Sequence, residues 1–389
     1  MTDLSESDLA DLRSSLRSVL ERRSSEEAVR RTMASPSGAD LDLWRTLVSD
    51  FALPAMTVPE DGGGAGAGWA AGRVVLEELG RSLACVPALS AMGLAVPALV
   101  ASGDAEAERD ILPGILSGDT IATAALLGAD PLSACRLRAT GQGSGWRLTG
   151  RVAHVVDAQV ADLALVPAQH SEGTALFAVD LRAAGVDVQA RATSDLTRRV
   201  CGLSLDAASA RMIGGPDQAA SVLGSSRPAA LLALAAEQTG GAGAALYQGV
   251  AYAGQRVQFG RAIGSFQAVK HKLADVLVAV EQCRSATWAT ARAIDGHTPD
   301  ADLYAEAAAA ICGAAYVKTA SDNVQVHGGI GYTYEGSAHL HVKRSRGSAA
   351  LLGTPAQHRA GVSARLPLLL DTPGTTAAAL ARTVEGASR

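Results

Sequence analysis

Apolar and polar residues alternate in three different patterns along the chain, and these patterns divide it into three zones. In the first zone, residues 1–115, Leu16, Val19 and Leu20 fall on one face of a helix, because residues three and four apart share a helical face. A stretch rich in proline and glycine at residues 51–69 interrupts the pattern, and a second amphipathic run, AGRVVLEELGRSLA, follows it. We therefore predict an N-terminal helical domain.

The second zone, residues 116–225, has the short period of β-strands. Segments such as WRLTGRVAHVV and TALFAVDL alternate in part, and turn residues separate them at a spacing typical of a sandwich or barrel. This zone is predicted to be a middle β-barrel or sandwich domain.

The third zone, residues 226–389, returns to a helical period. Leu246, Val250, Ala253 and Val257 follow one another in steps of four and three, and an alanine-rich run covers residues 303–325. Long antiparallel helices in a bundle fit this pattern best. Because helices precede and follow the strands instead of alternating with them, the predicted fold class is α+β.

Composition narrows the possible partners and location of the protein. The 389 residues carry a net charge of −5, which gives no sign of a nucleic-acid footprint. The charged N-terminal stretch resembles neither a signal peptide nor a membrane span, so we expect a cytoplasmic protein that binds no membrane. The five cysteines form no CxxC pair, and no metal site is expected.

Two glycine-containing motifs stand out in the third zone. In RVQFGRAIGSFQ, Arg256 offers a planar fork of donors suited to a diphosphate, Phe259 offers a ring face, and Gln267 can both donate and accept hydrogen bonds. In QVHGGIGYTYE, Gln325 precedes Gly328 and Gly329, which allow a ligand to approach the backbone closely. The structural alternatives are a solvated charge at a helix end and a helix C-cap closed by glycine.

These motifs, together with LPAMTVPEDGGGAG and VVLEELGRSLA in the same order, resemble those of the acyl-CoA dehydrogenase family over nearly the whole chain. The resemblance implies an N-terminal helical domain, a middle β domain and a C-terminal four-helix bundle. It also implies FAD as cofactor, bound between two subunits. The residues expected to contact the diphosphate and adenosine half of an FAD held mainly by the neighbouring subunit are Arg256, Phe259, Gln267, Gln325, Gly328 and Gly329.

The catalytic carboxylate of the family is missing from both places where its members carry it. Counted from Glu335, the usual glutamate position falls at Leu352, and leucine cannot accept a proton. Counted back from Arg256, the alternative position falls at Ala230. Glu237, on the same predicted helix, is the candidate base that remains. Its structural alternative is a buried or subunit-facing glutamate that bonds across helices.

The segments that hold the flavin ring in the family also depart from its pattern. A Thr-Glu-Pro segment is replaced by ALLGADPLSA at residues 125–134, and a Trp-Ile-Thr run by His154, Val155 and Val156. Valine at the last position offers no hydrogen-bond donor in its side chain. The features that a subunit gives to its neighbour's FAD are thus kept, whereas several that serve its own flavin ring and substrate are lost.

We therefore hypothesise one subunit of a heteromeric acyl-CoA dehydrogenase resembling the actinobacterial α2β2 type. A second dehydrogenase-like subunit would supply the base, acyl-CoA would be the substrate, and the resemblance implies an electron-transfer flavoprotein as electron acceptor. Two alternatives stay open: a self-sufficient homomeric flavoenzyme using Glu237 or another base, and a non-catalytic scaffold subunit. The residues do not identify the acyl group.

Overall fold

A computed structural model describes residues 4–133, 136–143 and 145–370. The first zone is helical, as predicted. Local caps begin several of its helices: the Ser5 side chain and Asp8 form a capping box, and Asp40 accepts a hydrogen bond from the Leu43 amide. The helices are α1 (Glu6–Arg23), α2 (Glu26–Ala34), α3 (Leu41–Phe51), α4 (Gly68–Arg81), α5 (Val96–Ala101) and α6 (Ala105–Leu116), with a π-helical turn at Leu89–Ala95.

The face predicted for the first helix packs into the main hydrophobic core. Leu16 and Leu20 are fully buried, and Val19 is packed against the same cluster. Arg13 and Arg17 of α1 reach the buried carboxylate of Glu78 on α4 at 2.9 and 2.7 Å. Apolar packing and these ion pairs together hold α1 against α4.

The middle zone is a closed barrel. Strand β5 pairs with both β4 and β7, so β4, β2, β3, β7 and β5 form a ring, with β1 beside β4 and β6 beside β7. A register shift in β3 between Val152 and Val155 bulges the strand at His154. The strands are β1 (Ala122–Ala124), β2 (Arg138–Thr140), β3 (Trp146–Val156), β4 (Leu163–His170), β5 (Gly173–Asp180), β6 (Val186–Ala190) and β7 (Val200–Ile213).

The last zone is the predicted helical bundle, and its first helix begins at Ala219, upstream of the predicted boundary at residue 226. That helix is long and apolar enough to cross a membrane, but 67% of its most apolar window is buried inside the protein, as expected of a core helix. The helices are α7 (Ala219–Gln255), α8 (Gln267–Asp295), α9 (Ala301–His327), α10 (Ala338–Ser348) and α11 (Pro355–Leu370), and a hairpin of β8 (Val257–Gln258) and β9 (Arg261–Ala262) joins α7 to α8.

The directions of these helices bring three chain segments to one end of the bundle. Helix α8 runs back along α7, and α9 returns, so the end of α7, the start of α8 and the end of α9 coincide. Stacking of the Tyr252 and His327 rings, with centroids 4.2 Å apart, joins the ends of α7 and α9. A hydrogen bond of 3.0 Å from Asn323 to Gln248 lies one turn further in.

Candidate functional site

All six residues predicted to contact the cofactor lie at this end of the bundle. Arg256 is the cap of α7, Phe259 lies in the turn between β8 and β9, and Gln267 is the first residue of α8. Gln325 lies in the last turn of α9, Gly328 is its cap, and Gly329 follows. The six are exposed, so they can contact another molecule, although their role in binding stays a prediction.

The guanidinium of Arg256 is available for a ligand. No described residue accepts a hydrogen bond from it or forms an ion pair with it, whereas its backbone N–H donates to the Tyr252 carbonyl at 2.8 Å. Beside it, the Arg261 guanidinium lies 4.2 Å above the Phe266 ring, which orders the hairpin. Arg256 thus offers an unpaired fork of donors on an ordered turn, which fits a diphosphate.

Gly328 shows why glycine follows α9. Its backbone has φ +63° and ψ −139°, a conformation that other residues rarely adopt. A Cβ atom at Gly328 or at Gly329 would meet nothing within 4 Å, so both glycines face open space. The motif therefore requires glycine at Gly328 for its backbone conformation, and both positions leave room for a ligand.

Four aromatic side chains near this end are largely exposed, and we call them the aromatic patch: Tyr247, Phe259, Tyr332 and Tyr334. Phe259 is 92% exposed and the three tyrosines are 75–79% exposed. Val250, which the apolar spacing placed on a packed helical face, is also half exposed. Large aromatic side chains with this exposure are often found on surfaces that another chain covers.

The two positions of the missing carboxylate line one cavity. Leu352 and Ala230 both border an apolar cavity of about 180 Å³ between α7 and the segment before β2. Leu352 is only 2% exposed. Sequence counting thus led to two positions that the fold brings together, and neither carries a group that could accept a proton.

Hydrogen bonds fix the chain at Leu352. The Arg227 guanidinium donates to the Leu352 carbonyl at 3.3 Å and to the Glu306 carboxylate at 3.1 Å. His358 lies 2.5 Å from the other oxygen of Glu306. Burial alone would raise the pKa of Glu306, but His358 and Arg227 outweigh it and hold the pKa below its usual value. Glu306 is therefore a paired structural carboxylate.

Asp130 is the carboxylate among the described residues that line this cavity. It is exposed, and it accepts hydrogen bonds from the side chain and the backbone N–H of Ser133. The Ser133 side chain is the main reason that the pKa of Asp130 is lowered. The two hydrogen bonds from Ser133 thus engage both oxygens of the Asp130 carboxylate.

Glu237, the candidate base that remains, does not line this cavity. Its carboxylate forms a buried ion pair with Arg198, from the loop between β6 and β7, and neither residue lines the cavity of Leu352. Arg198 also donates to the Ser348 hydroxyl at 3.2 Å. This placement is the structural alternative given above, a buried glutamate that bonds across elements. Catalysis by Glu237 stays a prediction, and the ion pair speaks against it.

A second cavity, of about 520 Å³, lies where the resemblance places the flavin ring of this chain. It includes Gly128 and Pro131 from the segment that replaces Thr-Glu-Pro, and His154 from the bulge in β3. Val156 is fully buried, and its carbonyl accepts from the Thr123 hydroxyl at 2.7 Å. Of the two segments expected to flank the ring, the first reaches the cavity with residues such as Gly128 and Pro131, and the second reaches it with His154 but not with Val156.

Two of the groups in this cavity that could bind the edge of a flavin ring are already engaged within the protein. The Gly128 N–H donates to the Leu351 carbonyl at 2.6 Å, and Pro131 has no N–H. Thr193 supplies the hydroxyl among the described lining residues, and it donates to the Asp195 carbonyl at 2.8 Å. The cavity has room for a flavin ring, and the other polar side chains that line it are Arg136, Arg151 and His154.

Several residues that shape the site were missed by sequence reasoning. Arg198 and Arg227 lie far along the chain from the groups that they bind, so no local pattern indicates their pairing. Tyr332 and Tyr334 could have been noticed, because two tyrosines next to the glycines of GGIGYTYE suggest a surface ligand or partner.

Comparison with known proteins agrees with the fold and the motifs. Residues 6–119 match a family model described as the acyl-CoA dehydrogenase N-terminal domain, and residues 214–366 match the C-terminal domain. The chain is 34% identical over 346 residues to acyl-CoA dehydrogenase IpdE2 of Mycolicibacterium smegmatis, covering 88% of this chain and 94% of that protein. It is 35% identical over 328 residues to FadE27 of Mycobacterium tuberculosis, covering 81% and 85%.

Two solved structures that are similar to this chain are each described by a pair of protein names. One is the ChsE4–ChsE5 complex from Mycobacterium tuberculosis, with a TM-score of 0.84 and 31% identity, covering 96% of this chain and all of that one. The other is a variant of the Tcur3481–Tcur3483 steroid ACAD, with a TM-score of 0.83 and 31% identity, covering 94% and 99%.

Proposed function

This chain belongs to the acyl-CoA dehydrogenase family, whose members are FAD-binding flavoproteins, and from this premise we propose that it is one subunit of a heteromeric enzyme. The pair would α,β-dehydrogenate an acyl-CoA thioester. A second dehydrogenase-like subunit would supply the catalytic carboxylate and the pocket of the flavin ring. The observation that carries this proposal is that the two family positions of the base line one cavity as Leu352 and Ala230, and neither side chain can accept a proton.

In this proposal the chain serves the cofactor of its partner. The Arg256 guanidinium binds the diphosphate through charge-assisted hydrogen bonds, and the turn at Gly328 lets the FAD approach the backbone. Phe259 offers its exposed ring to the adenosine half, while Gln267 and Gln325 supply amide groups from the ends of α8 and α9. The bound flavin would take the β hydrogen of the substrate as hydride.

Three observations support a heteromer over a homomer. At the flavin-ring position of this chain the Gly128 N–H and the Thr193 hydroxyl are already engaged within the protein, and the two family positions of the base carry leucine and alanine. The aromatic patch is exposed at the end where the cofactor residues lie. Finally, the similar ChsE4–ChsE5 structure is a complex of two different proteins.

We also propose that an electron-transfer flavoprotein reoxidises the flavin.

The test is expression of this chain alone and together with a dehydrogenase-like chain from the same organism that retains the carboxylate. Flavin absorbance per protein should give one FAD for each pair of chains, and turnover of acyl-CoA should require both. One FAD per chain and full turnover in the isolated protein would overturn the proposal.

The same complex separates the two alternatives. If the chain is only a scaffold, Arg256→Ala should leave the FAD content of the complex unchanged, whereas our proposal expects it to fall. If the chain is self-sufficient through Glu237, then Glu237→Gln should abolish the turnover of the isolated chain. Both variants should be checked for folding by circular dichroism, because Glu237 is in a buried ion pair.

A further inference from the structure

We propose that Arg30, on helix α2 of the N-terminal domain, is a positioning residue for the cofactor. It holds the segment between α9 and α10, residues 328–337, which we call the cofactor loop. This inference rests on the proposed function, because it takes Gly328 and Gly329 of this loop to contact the FAD of the partner subunit. It deepens that function by giving a role to a residue that lies 306 positions before its contact, Gly336.

The cofactor loop is tightly folded. The Ile330 carbonyl accepts hydrogen bonds from the Thr333 N–H at 3.1 Å and from the Thr333 hydroxyl at 2.9 Å. Glycines allow close approach of the backbone: a Cβ atom at Gly331 would lie 2.8 Å from the Val324 carbonyl oxygen, and one at Gly336 would lie 2.7 Å from that of Ile330. The loop thus folds as a unit, whose orientation is set by its contacts with other elements.

Arg30 makes one of these contacts, and it reaches the loop from a different domain. Its Nη2 donates to the Gly336 carbonyl at 3.0 Å. The Glu26 carboxylate, one helical turn earlier, lies 2.8 Å from Nε and 2.7 Å from Nη2 of the same guanidinium. Because Glu26 already orients the guanidinium, less conformational entropy is lost when Arg30 binds the loop. The ion pair and the bond to Gly336 therefore form one connected contact.

Helix α2 is itself held at several points, so Arg30 extends from a fixed element. The Arg199 guanidinium, from the residue just before β7, donates to the Met33 carbonyl at 2.7 Å. Val29 packs with Leu340 of α10 in a small buried cluster. The barrel and α10 thus both hold α2, and a side chain on a well-packed helix positions its partner more precisely than one on a loop does.

The contact affects FAD through the order of the loop. Gly328 and Gly329 face open space and offer their backbone to the cofactor, and Gly336 lies further along the same loop. A loop that must first be ordered by its ligand binds more weakly, because ordering costs conformational entropy. Arg30 orders the loop before FAD arrives, and so acts on FAD through the loop.

The first test measures the dissociation constant of FAD in the complex of both chains. Arg30→Met keeps an unbranched side chain but removes the donors, and we expect it to raise this constant about 3–10-fold, as for the loss of one hydrogen bond. The effect should be smaller than that of Arg256→Ala, because only the order of the loop is lost. Arg30→Lys can still donate to the Gly336 carbonyl, so it should restore most of the affinity.

The matched control is Arg31→Met. Arg31 forms the same kind of ion pair on the same helix, with Glu27 at 2.6 Å, and no described residue of the cofactor loop bonds to it. This variant should leave the dissociation constant of FAD unchanged. Equal effects of Arg30→Met and Arg31→Met would show the inference to be wrong.

Hydrogen exchange in the FAD-free complex tests the order of the loop directly. Arg30→Met should speed the exchange of the backbone amides at residues 328–337, whereas Arg31→Met should not. Urea unfolding of both variants should stay close to that of the natural chain, so that a general loss of folding does not explain the result. Unchanged exchange in the loop would overturn the positioning role.

The same variants separate this inference from the proposed function. If Arg256→Ala weakens FAD binding and Arg30→Met does not, the role of Arg30 alone is wrong. If neither variant weakens FAD binding, the proposed function fails and the inference fails with it. Weakening by both, with partial rescue by Arg30→Lys, is the outcome that we expect.

Discussion

Arg198 and Glu237 form a buried ion pair that joins the barrel to the helical bundle. Arg198 precedes β7, Glu237 lies in the middle of α7, and the second hydrogen bond of Arg198 reaches Ser348 at the end of α10. Leu351 and Leu352, which border the two cavities, follow Ser348 closely in the chain. The ion pair therefore lies next to the segment after α10, which borders both cavities.

Removing one partner of this pair should be costly. We expect Glu237→Ala to lower the free energy of unfolding by about 3–5 kcal/mol, because it leaves the Arg198 charge buried and unpaired. The double variant Arg198→Met with Glu237→Leu should cost clearly less than the two single changes added together. Urea denaturation measures both quantities, with Glu281→Ala, on an exposed ion pair, as a control that should cost under about 1 kcal/mol. Additive single and double changes would contradict the ion-pair role.

Restoring a carboxylate at the family position should destabilise the protein. Leu352→Glu places an ionisable group among apolar residues at a position only 2% exposed, where burial disfavours the charged form. We expect a loss of about 2–5 kcal/mol at pH 7, and a smaller loss at pH 5, where more of the carboxyl can remain neutral. Leu352→Met, of similar volume, should cost under about 1.5 kcal/mol. A fully stable Leu352→Glu variant would show that the cavity can hold a charge.

Arg256 should contribute to FAD affinity in the complex. Arg256→Ala is expected to raise the dissociation constant of FAD about 10–100-fold, because a hydrogen bond to a charged group is lost. Arg256→Lys should fall between, since lysine keeps the charge but lacks the fork. Fluorescence titration of FAD measures the effect, and Arg45→Ala, an exposed arginine of α3, serves as the control. Equal dissociation constants for Arg256→Ala and Arg45→Ala would remove Arg256 from the cofactor site.

The two glycines after α9 should respond differently to alanine. Gly328→Ala forces a side chain into a left-handed backbone conformation, φ +63°, at a cost of about 1–3 kcal/mol. Gly329→Ala has the same open surroundings without a positive φ, so it should change stability by only a few tenths of a kcal/mol. Urea denaturation and FAD titration of the complex should both rank Gly328→Ala as the more damaging. The opposite order would mean that ligand contact, and not backbone strain, selects glycine here.

Asp157 should make stability depend on pH. Burial raises the pKa of Asp157 to about 6, although the Ser90 hydroxyl donates to it at 2.8 Å. Since the folded pKa exceeds the unfolded value, its contribution to stability is full below about pH 4 and is lost as the pH rises to about 6. Asp157→Asn keeps an acceptor for Ser90 and should stabilise the protein at pH 7 by up to about 3 kcal/mol.

His341 acts in the opposite direction over the same pH range. Burial lowers the pKa of His341 to about 4, so its contribution is present above about pH 6.5 and is lost as the pH falls to 4. The two groups therefore partly cancel in the natural protein. The gain from Asp157→Asn, measured by urea denaturation from pH 4 to pH 7, should vanish near pH 4. A gain independent of pH would rule out titration of Asp157 as its cause.

Periodicity and motifs were sufficient for the architecture. The helical face of Leu16 and Leu20 is buried, the alternating middle zone closes into a barrel, and the family resemblance is confirmed. Local patterns work here because each element buries the face that its own spacing defines. The same logic placed Val250 on a packed face, yet Val250 is half exposed in the single chain. Periodicity predicts which face of a helix is apolar, but it does not predict whether that face is buried within the same chain.

The candidate site was predictable only where its residues lie in a motif or at a fixed sequence distance from one. Counting from motifs led to Leu352 and Ala230, and the fold unites them in one cavity. The partner of Glu237 could not be found in this way, because Arg198 approaches through the packing of the barrel on α7. Electrostatic pairing across domains depends on tertiary geometry, which leaves no local signal.

The aromatic patch bears on how a cell handles this polypeptide. Tyr247, Phe259, Tyr332 and Tyr334 keep their rings in water while the chain is alone. A chain that remains unassembled would thus expose these aromatic side chains to chaperones and proteases. In the proposed heteromer, we expect copies of this chain without a partner to be degraded faster than assembled ones.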